Sequence, residues 1–248
     1  EAQIKIYVDG NETKAISEER AERQDVINAI KGFGDLLEEE QVGELNPIQK
    51  KYLQKITDSA KKLLLVVNQI LDWAKLESNQ IQLEYQPLDM VQIALEVGSL
   101  LELPLKEKKI SYQIDMVPWA KISGDRGRLR EVVINIVNNS IKFSNPNGKI
   151  HVSFLQKDIY LVTCISDTGS GMEESFAKEL FQPFVKGKNR PGEEANSGLG
   201  LWICRSIIEL HEGYIWAHSV PGEGTKISFA LPMLQCTEKE ISERQELG

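Results

Sequence analysis

The chain has 248 residues, 41% hydrophobic and 27% charged, with a formal net charge of -8, a composition that fits globular protein in one large domain or two ordinary ones. No stretch approaches the ~20 consecutive apolar residues of a membrane helix, and the acidic balance argues against nucleic acid as a partner. Three cysteines, Cys164, Cys204 and Cys236, are too few and too scattered for a disulfide framework or a zinc site, which points to reduced thiols in a cytoplasmic compartment.

Ile4, Ile6 and Val8 alternate with polar residues before Asp9-Gly10, the pattern of a short strand and turn. Residues 1–14 therefore read as a strand or linker remnant, cut from a longer protein or pairing with a partner. From about 15 to 41, Val26, Ile30, Phe33 and Leu37 recur at steps of four, three and four, which places one apolar stripe on a helix. Asn46-Pro47 is a strong helix start: Asn caps free amides, and Pro at the first helical position sacrifices no hydrogen bond. Leu53, Ile56, Ala60, Leu63, Val67, Ile70 and Ala74 follow in a heptad seam. Leu64 and Leu71 widen it. A helix over 47–78 would run about 48 Å at 1.5 Å per residue. A hairpin over 15–80 cannot bury that much apolar surface alone, whereas two copies make a four-helix bundle, so a homodimer is expected.

Gln86-Pro87 reads as a linker to a domain over 88–235. Helices are expected over 88–103, within Gly124–Phe143, near Glu173–Phe181 and over Gly198–His211. Strands are expected over Ile110–Ile114, Ile150–Leu155, Ile159–Ser166, Tyr214–Ser219 and Thr225–Leu231. This order gives the fold class: α+β, a two-helix hairpin forming a dimeric four-helix bundle, followed by an α/β sandwich. His211 is expected to end its helix as a partly positive imidazole favoured by the helix dipole. Residues 236–248 form a charged tail.

Three glycine-rich segments stand out: Asp167-Thr168-Gly169-Ser170-Gly171, Gly198-Leu199-Gly200-Leu201 and Gly222-Glu223-Gly224-Thr225. Taken singly each is a turn, and for the third a turn is the better reading. The first follows a buried strand, so Asp167 sits at a strand end where a carboxylate can accept from an adenine amino group. The second opens a helix, where free amides and the dipole favour a triphosphate. Between them in importance is the segment Glu131 to Phe143, in which Glu131, Asn135, Asn139 and Lys142 share one helix face. Such a polar line is either a solvated stripe or a site for Mg²⁺ and phosphate, with amide oxygens for the ion and an ammonium for the phosphate.

These segments, with Phe181-Gln182-Pro183-Phe184, resemble the N, G1, F, G2 and G3 boxes of sensor histidine kinases, in the same order. The resemblance implies ATP and Mg²⁺ as cofactors. It makes Asn135 the metal ligand, places Asn139 and Lys142 near the phosphates, and sets Phe143 against the nucleotide; Glu131 joins them as a catalytic candidate. It has Asp167 read the adenine, supported by Gly169, Gly171 and Met172. It makes 185–200 a mobile lid whose Lys186, Lys188 or Arg190 approach the phosphates, bounded by Gly198, Leu199, Gly200 and Leu201, with Thr225 in the last box. Asn196 stands where the family often has a glycine. The implied partners are a second copy of the chain and the receiver domain of a response regulator, with no membrane contact in this fragment and a cytoplasmic location.

Family members carry a phosphoacceptor histidine in the first helix, followed by an acid and a Thr or Asn. Here the histidines are His151, His211 and His218, with none in residues 1–150. The local motif puts Gln24 at the acceptor position, with Asp25 as the acid and Asn28 completing the pattern. Spacing to Gly32-Phe33 selects Ala21 instead, followed by Glu22. The retained acid and amide favour Gln24. Neither an amide nor a methyl group accepts a phosphoryl group, so self-phosphorylation at the usual site is expected to be absent. The loss is either an introduced change or a natural divergence. It leaves a core that serves a His-bearing partner kinase, a nucleotide-dependent scaffold, or a response-regulator phosphatase using Asp25 and Asn28.

Overall fold

The computed structural model describes residues 29–30, 32–37, 43–77, 82–185 and 198–234. The expected strand at 4–8, Ala21, Gln24, Asp25, Asn28, Lys186, Lys188, Arg190 and the tail from 236 lie outside them. The chain divides into two compact units, Glu1–Gln80 and Ile81–Gly248.

The described part of the first unit is helical: α1 over residues 32–37 and α2 over Pro47–Glu77. The Asn46 side chain accepts from the amides of Ile48 and Gln49, while Gln49 Oε1 accepts from Asn46 N, so the start of α2 is capped reciprocally. The two helices meet where Gly34 lies against Thr57 and Leu53, and Thr57 and Ala60 are buried. Thr57 Oγ1 turns back to donate to Leu53 O at 3.1 Å, which satisfies the hydroxyl inside the contact. Ile56 and Leu63, from the same heptad pattern, are 56% and 55% exposed. The seam is thus divided within the chain: Leu53 and Ala60, with Thr57 between them, turn towards α1, and Ile56 and Leu63 turn away.

The second unit is an α/β sandwich. Its elements are β1 (Gln86–Asp89), α3 (Met90–Leu100), α4 (Glu102–Glu107), β2 (Ser111–Ile114), β3 (Lys121–Gly124), α5 (Arg126–Phe143), β4 (Lys149–Lys157), β5 (Tyr160–Asp167), α6 (Glu174–Glu179), α7 (Gly200–Leu210), β6 (Tyr214–Val220) and β7 (Gly224–Pro232). Five strands form one mixed sheet in the order β2-β4-β5-β7-β6, with β2 and β4 parallel and the other pairs antiparallel. On one face Ile150, Val152 and Phe154 align with Leu161, Thr163 and Ile165 and with Ile227, Phe229 and Leu231, all buried. Against them pack α3, α5 and α7 through Ile93, Val97, Leu129, Val132, Ile136, Ile203 and Ile207. The opposite face buries Val162, Cys164 and Ala230 beneath Tyr160, with Tyr214 and Trp216 stacked alongside.

Three expectations need correcting. Gln86-Pro87 is not a linker: these residues open β1, which pairs antiparallel with β3 in a separate two-stranded sheet. β3 itself was not anticipated. The single helix expected over 88–103 is two, α3 capped by Asp89 Oδ1 accepting from Val91 N, and a short α4. A four-residue pairing between residues far apart, such as Leu88 and Ile122, overrode the local reading in the first case, and the local cap at Asp89 did so in the second. The third correction is a helix start: α7 begins at Gly200, two residues later than expected.

Candidate functional site

The site is built where β5 ends under α5 and beside the start of α7. β5 delivers Asp167 on the helix-side face, in register with Ile150 of β4 and Thr225 of β7. Its carboxylate accepts from Gly169 N at 2.9 Å and Thr225 N at 3.2 Å through Oδ1, and from Ser140 Oγ at 2.9 Å through Oδ2. Burial pushes the Asp167 carboxyl above the ordinary carboxylate range, and the three donors pull against that shift. The result is a partly buried acid aimed by three separate elements.

The glycine segments turn out to be the packing that holds this acid. The first and third boxes are joined by Gly222 N donating to Ser170 O at 2.8 Å, and Ser170 N donates to Phe143 O at 3.2 Å. Gly171 and Gly224 have φ of +61° and +113°. A Cβ on Gly171 would overlap Val220 O, and one on Gly224 would overlap the Asp167 carbonyl oxygen. Gly222–Thr225, read from sequence as a turn, is therefore also the clamp on Asp167. Replacing Gly224 with Ala forces that clamp open. We expect a loss of about 2–4 kcal/mol, seen as a fall of roughly 5–12 °C in the Tm of the second unit by calorimetry.

Two residues of the site escaped the sequence reading. Ser140 lies on the buried, otherwise apolar face of α5, and that single small polar residue among Val133, Ile136, Val137 and Ile141 was the available signal. Ser219, buried in β6, accepts from Met172 N at 2.9 Å and lies 2.8 Å from Gly224 O and 2.9 Å from Thr225 Oγ1. It ties the first box to the third, and nothing in its local sequence announces it.

Glu131, Asn135, Asn139 and Lys142 are half-buried along one side of α5, and the ground between that side and Asp167 is the candidate cleft. Arg128 Nη1 bonds to Glu131 at 3.1 Å, and Lys142 Nζ lies 5.3 Å from the centre of the Phe143 ring. Cys204 of α7 lies beside Glu131 and Asn135, and its buried thiol is pushed far up by desolvation, so it is inert. Among the described residues no group of three or more His, Cys, Asp or Glu forms a metal cluster. That is compatible with Mg²⁺, which binds through one or two protein oxygens and otherwise keeps water and phosphate ligands; the amides of Asn135 and Asn139 fit that donor set.

Phe184 N donates to Gly198 O at 3.0 Å, so the chain leaves and re-enters the site at one point on either side of residues 186–197. Leu199 is buried and α7 starts at Gly200 with its free amides next to this junction. Leu201 is half-buried.

None of the three histidines enters the cleft. His151 and His218 project from the opposite face of the sheet, where His151 Nε2 bonds to Asp115 at 2.8 Å. His211 is buried, and the expected partly positive imidazole is wrong. Nε2 accepts from Asp125 N at 2.9 Å, which leaves Nδ1 to donate to Ile207 O at 2.7 Å. The ring is neutral, and burial depresses its pKa, opposed by the Ile207 carbonyl and Asp125.

This sandwich, with a clamped acid at a strand end facing a polar helix edge, defines an ATP-binding fold. Residues 124–235 match the family described as "Histidine kinase-, DNA gyrase B-, and HSP90-like ATPase", and residues 27–79 match the "His Kinase A (phospho-acceptor) domain". An uncharacterised sensor-like histidine kinase of Rhizobium meliloti is 32% identical over 209 residues, covering 83% of this chain and 40% of the relative. The sensor protein GacS of Pseudomonas syringae pv. syringae is 32% identical over 231 residues, covering 90% and 25%. The full-length ShkA structure in complex with AMPPNP shares the fold at TM-score 0.74 and 23% identity, over 90% of this chain and 46% of that one. The histidine kinase ThkA, solved in complex with the response regulator TrrA, aligns at TM-score 0.61 and 25% identity, over 91% and 62%. The chain belongs to the sensor histidine kinases and comprises their helical and ATP-binding core. It spans less than half the length of these two curated relatives.

Proposed function

We propose that the second unit binds Mg·ATP and donates the γ-phosphoryl group to a histidine on another chain, from which it passes to an aspartate of a response-regulator receiver domain. The observation that carries this reading is the Asp167 carboxylate, fixed at the end of β5 by Ser140, Gly169 and Thr225. In this reading Asp167 accepts from the adenine amino group, and the free amides at the start of α7 face the phosphates. Lys142, Lys186 and Arg190 supply positive charge. Asn135, with Asn139 beside it, would hold Mg²⁺, which would supply positive charge to the phosphate oxygens.

The acceptor lies elsewhere because residues 1–150 hold no histidine and His151, His211 and His218 are turned from the cleft or bonded at both ring nitrogens. The same absence favours a second reading, in which Asp25 and Asn28 orient water against a receiver phosphoaspartate. Incubation with labelled ATP, with and without a His-bearing partner hairpin, separates the two. Label on the partner supports phosphoryl transfer. Label on this chain alone, stable to base and labile to acid, overturns the missing-acceptor reading.

The first unit supports a homodimer. Ile30, Phe33, Ile48, Ile56 and Leu63 are all at least 39% exposed on a single chain, an apolar surface that a second copy would cover. Replacing Ile56 and Leu63 together with Glu removes four side chains from a two-fold interface. At about 1–1.5 kcal/mol for each half-exposed side chain, dimer affinity should fall at least ~10³-fold, measured by sedimentation equilibrium.

A further inference from the structure

The end of α5 and α7 remote from the cleft carries a polar cluster that nucleotide binding does not require. Asp125 sits at the junction of β3 and α5, and its backbone amide donates to His211 at the end of α7. Its carboxylate caps α5 through Arg128 N at 3.0 Å and also accepts from Glu84 N at 3.1 Å. Tyr85, the next residue, donates its hydroxyl to Leu210 O at 3.1 Å and sets its ring 5.5 Å from the His211 imidazole. The segment by which the chain enters the second unit is thus bonded to the ends of both helices. Gly124 fits against the same imidazole, where a Cβ would meet Cδ2 at 3.0 Å.

α5 and α7 run antiparallel. Asp125 meets His211, and Val132 O lies 3.8 Å from Cys204 Sγ midway. The later residues of α5, from Asn139 onward, therefore lie towards the start of α7 at Gly200. The 11 residues of α7 put about 16 Å between His211 and the start of the helix at Gly200, while on α5 Glu131 lies about 9 Å along the helix from Asp125. Helices packed through interlocking side chains move as rods, so a change of spacing at one end is passed to the other.

We propose that Asp125 and His211 form a latch, strapped by Glu84 and Tyr85, that positions α5 and α7 for nucleotide, so that protonating His211 or freeing Tyr85 weakens binding at the cleft. The proposal rests on the nucleotide-binding reading above. It follows from donor geometry: a protonated Nε2 would point an N–H at the Asp125 N–H, so the bond cannot survive proton uptake. The groups facing the ring are the Asp125 carboxylate, the Tyr85 phenol and, one residue along, Glu212. Burial of the ring keeps it neutral near pH 7, so the latch opens on the acid side.

The test measures Mg·ATP affinity of the full chain from pH 7.5 to 5.5 for the wild type, His211→Gln, His211→Leu and Tyr85→Phe. Gln retains an acceptor near the Nε2 position and does not titrate. The wild type should lose about 3- to 10-fold more affinity than His211→Gln over this range, which subtracts titration of the nucleotide itself. His211→Leu should be weaker at pH 7.5, and Tyr85→Phe weaker by about 2- to 3-fold. Superimposable profiles for wild type and His211→Gln, with Tyr85→Phe binding as the wild type does, would overturn the latch. Should His211→Leu not fold, Tyr85→Phe and the Gln comparison decide alone. If the wild type does not bind Mg·ATP, the functional reading fails; amide exchange at Asp125, compared with His211→Gln at pH 5.5, then reads the latch directly. Exchange selectively faster in the wild type supports it, and equal exchange overturns it.

Discussion

Replacing Asp167 with Asn is expected to weaken Mg·ATP binding by about 30- to 100-fold while leaving the thermal stability of the second unit at or above that of the wild type. The two effects separate because the acid has two faces. Asn can keep Oδ1 as acceptor for Gly169 N and Thr225 N, and its amide nitrogen can donate to Ser140 Oγ, so the internal bonds survive. Towards the ligand, a donor then meets the adenine amino donor, and the pairing is lost. The pH dependence has opposite signs for the two properties. Asp167 has a raised folded-state pKa, so its stabilising contribution is present at low pH and is lost as pH rises from the ordinary carboxylate range through the raised value. Ligand binding needs the ionised form and fails as pH falls through the same value. Calorimetric titration with ATP and thermal melts between pH 4 and 8 check both. Equal ATP affinity for wild type and Asp167→Asn would remove Asp167 from the adenine site.

Restoring a histidine in the first helix is expected to give a chain that labels itself, which the wild type is expected not to do. An imidazole nitrogen offers a nucleophilic lone pair at neutral pH, whereas the Gln24 amide nitrogen shares its pair with the carbonyl and the Ala21 methyl has none, so the gain should be on the order of 10³-fold or more. Gln24→His keeps Asp25 as the neighbouring acid and Asn28 downstream, and is expected to be the active variant. Ala21→His places Glu22 beside the acceptor and tests the competing register. Acid-labile, base-stable label from ATP on one variant assigns the acceptor position. Label on neither, in a chain that binds Mg·ATP, would show that the ATP-binding unit does not serve this hairpin.

Much of the second unit was legible because its strands and helices carry strong local patterns. Ile150 to Leu155 and Ile227 to Leu231 alternate or run apolar, and α5 keeps its stripe of Leu129, Val132, Val133, Ile136 and Val137 through to burial. The capped start of α2 at Asn46-Pro47 is likewise a local matter of one side chain and two amides. What failed depended on distant partners. β1 and β3 are four residues each and exist because Leu88 pairs with Ile122, a contact that no window of neighbouring residues encodes. The positive charge expected of His211 is lost for the same reason. A helix end in water favours an imidazolium, but this ring meets the backbone amide of Asp125, 86 residues earlier, and that donor demands a neutral acceptor.

From residue types and spacing come the glycine-rich segments, the polar line on α5, the heptad pattern and the lack of a histidine in the helical half, all properties of nearest neighbours along the chain or of simple count; their reading as nucleotide-site boxes comes from the resemblance to sensor histidine kinases. Only the tertiary structure decided that Ser140, Ser219 and Gly224 hold Asp167, that the heptad residues divide between α1 and an outward face, and that none of the three histidines reaches the cleft. Those are statements about which groups meet across a fold. Burial and hydrogen-bond pairing settle them, and both depend on residues far apart in the chain.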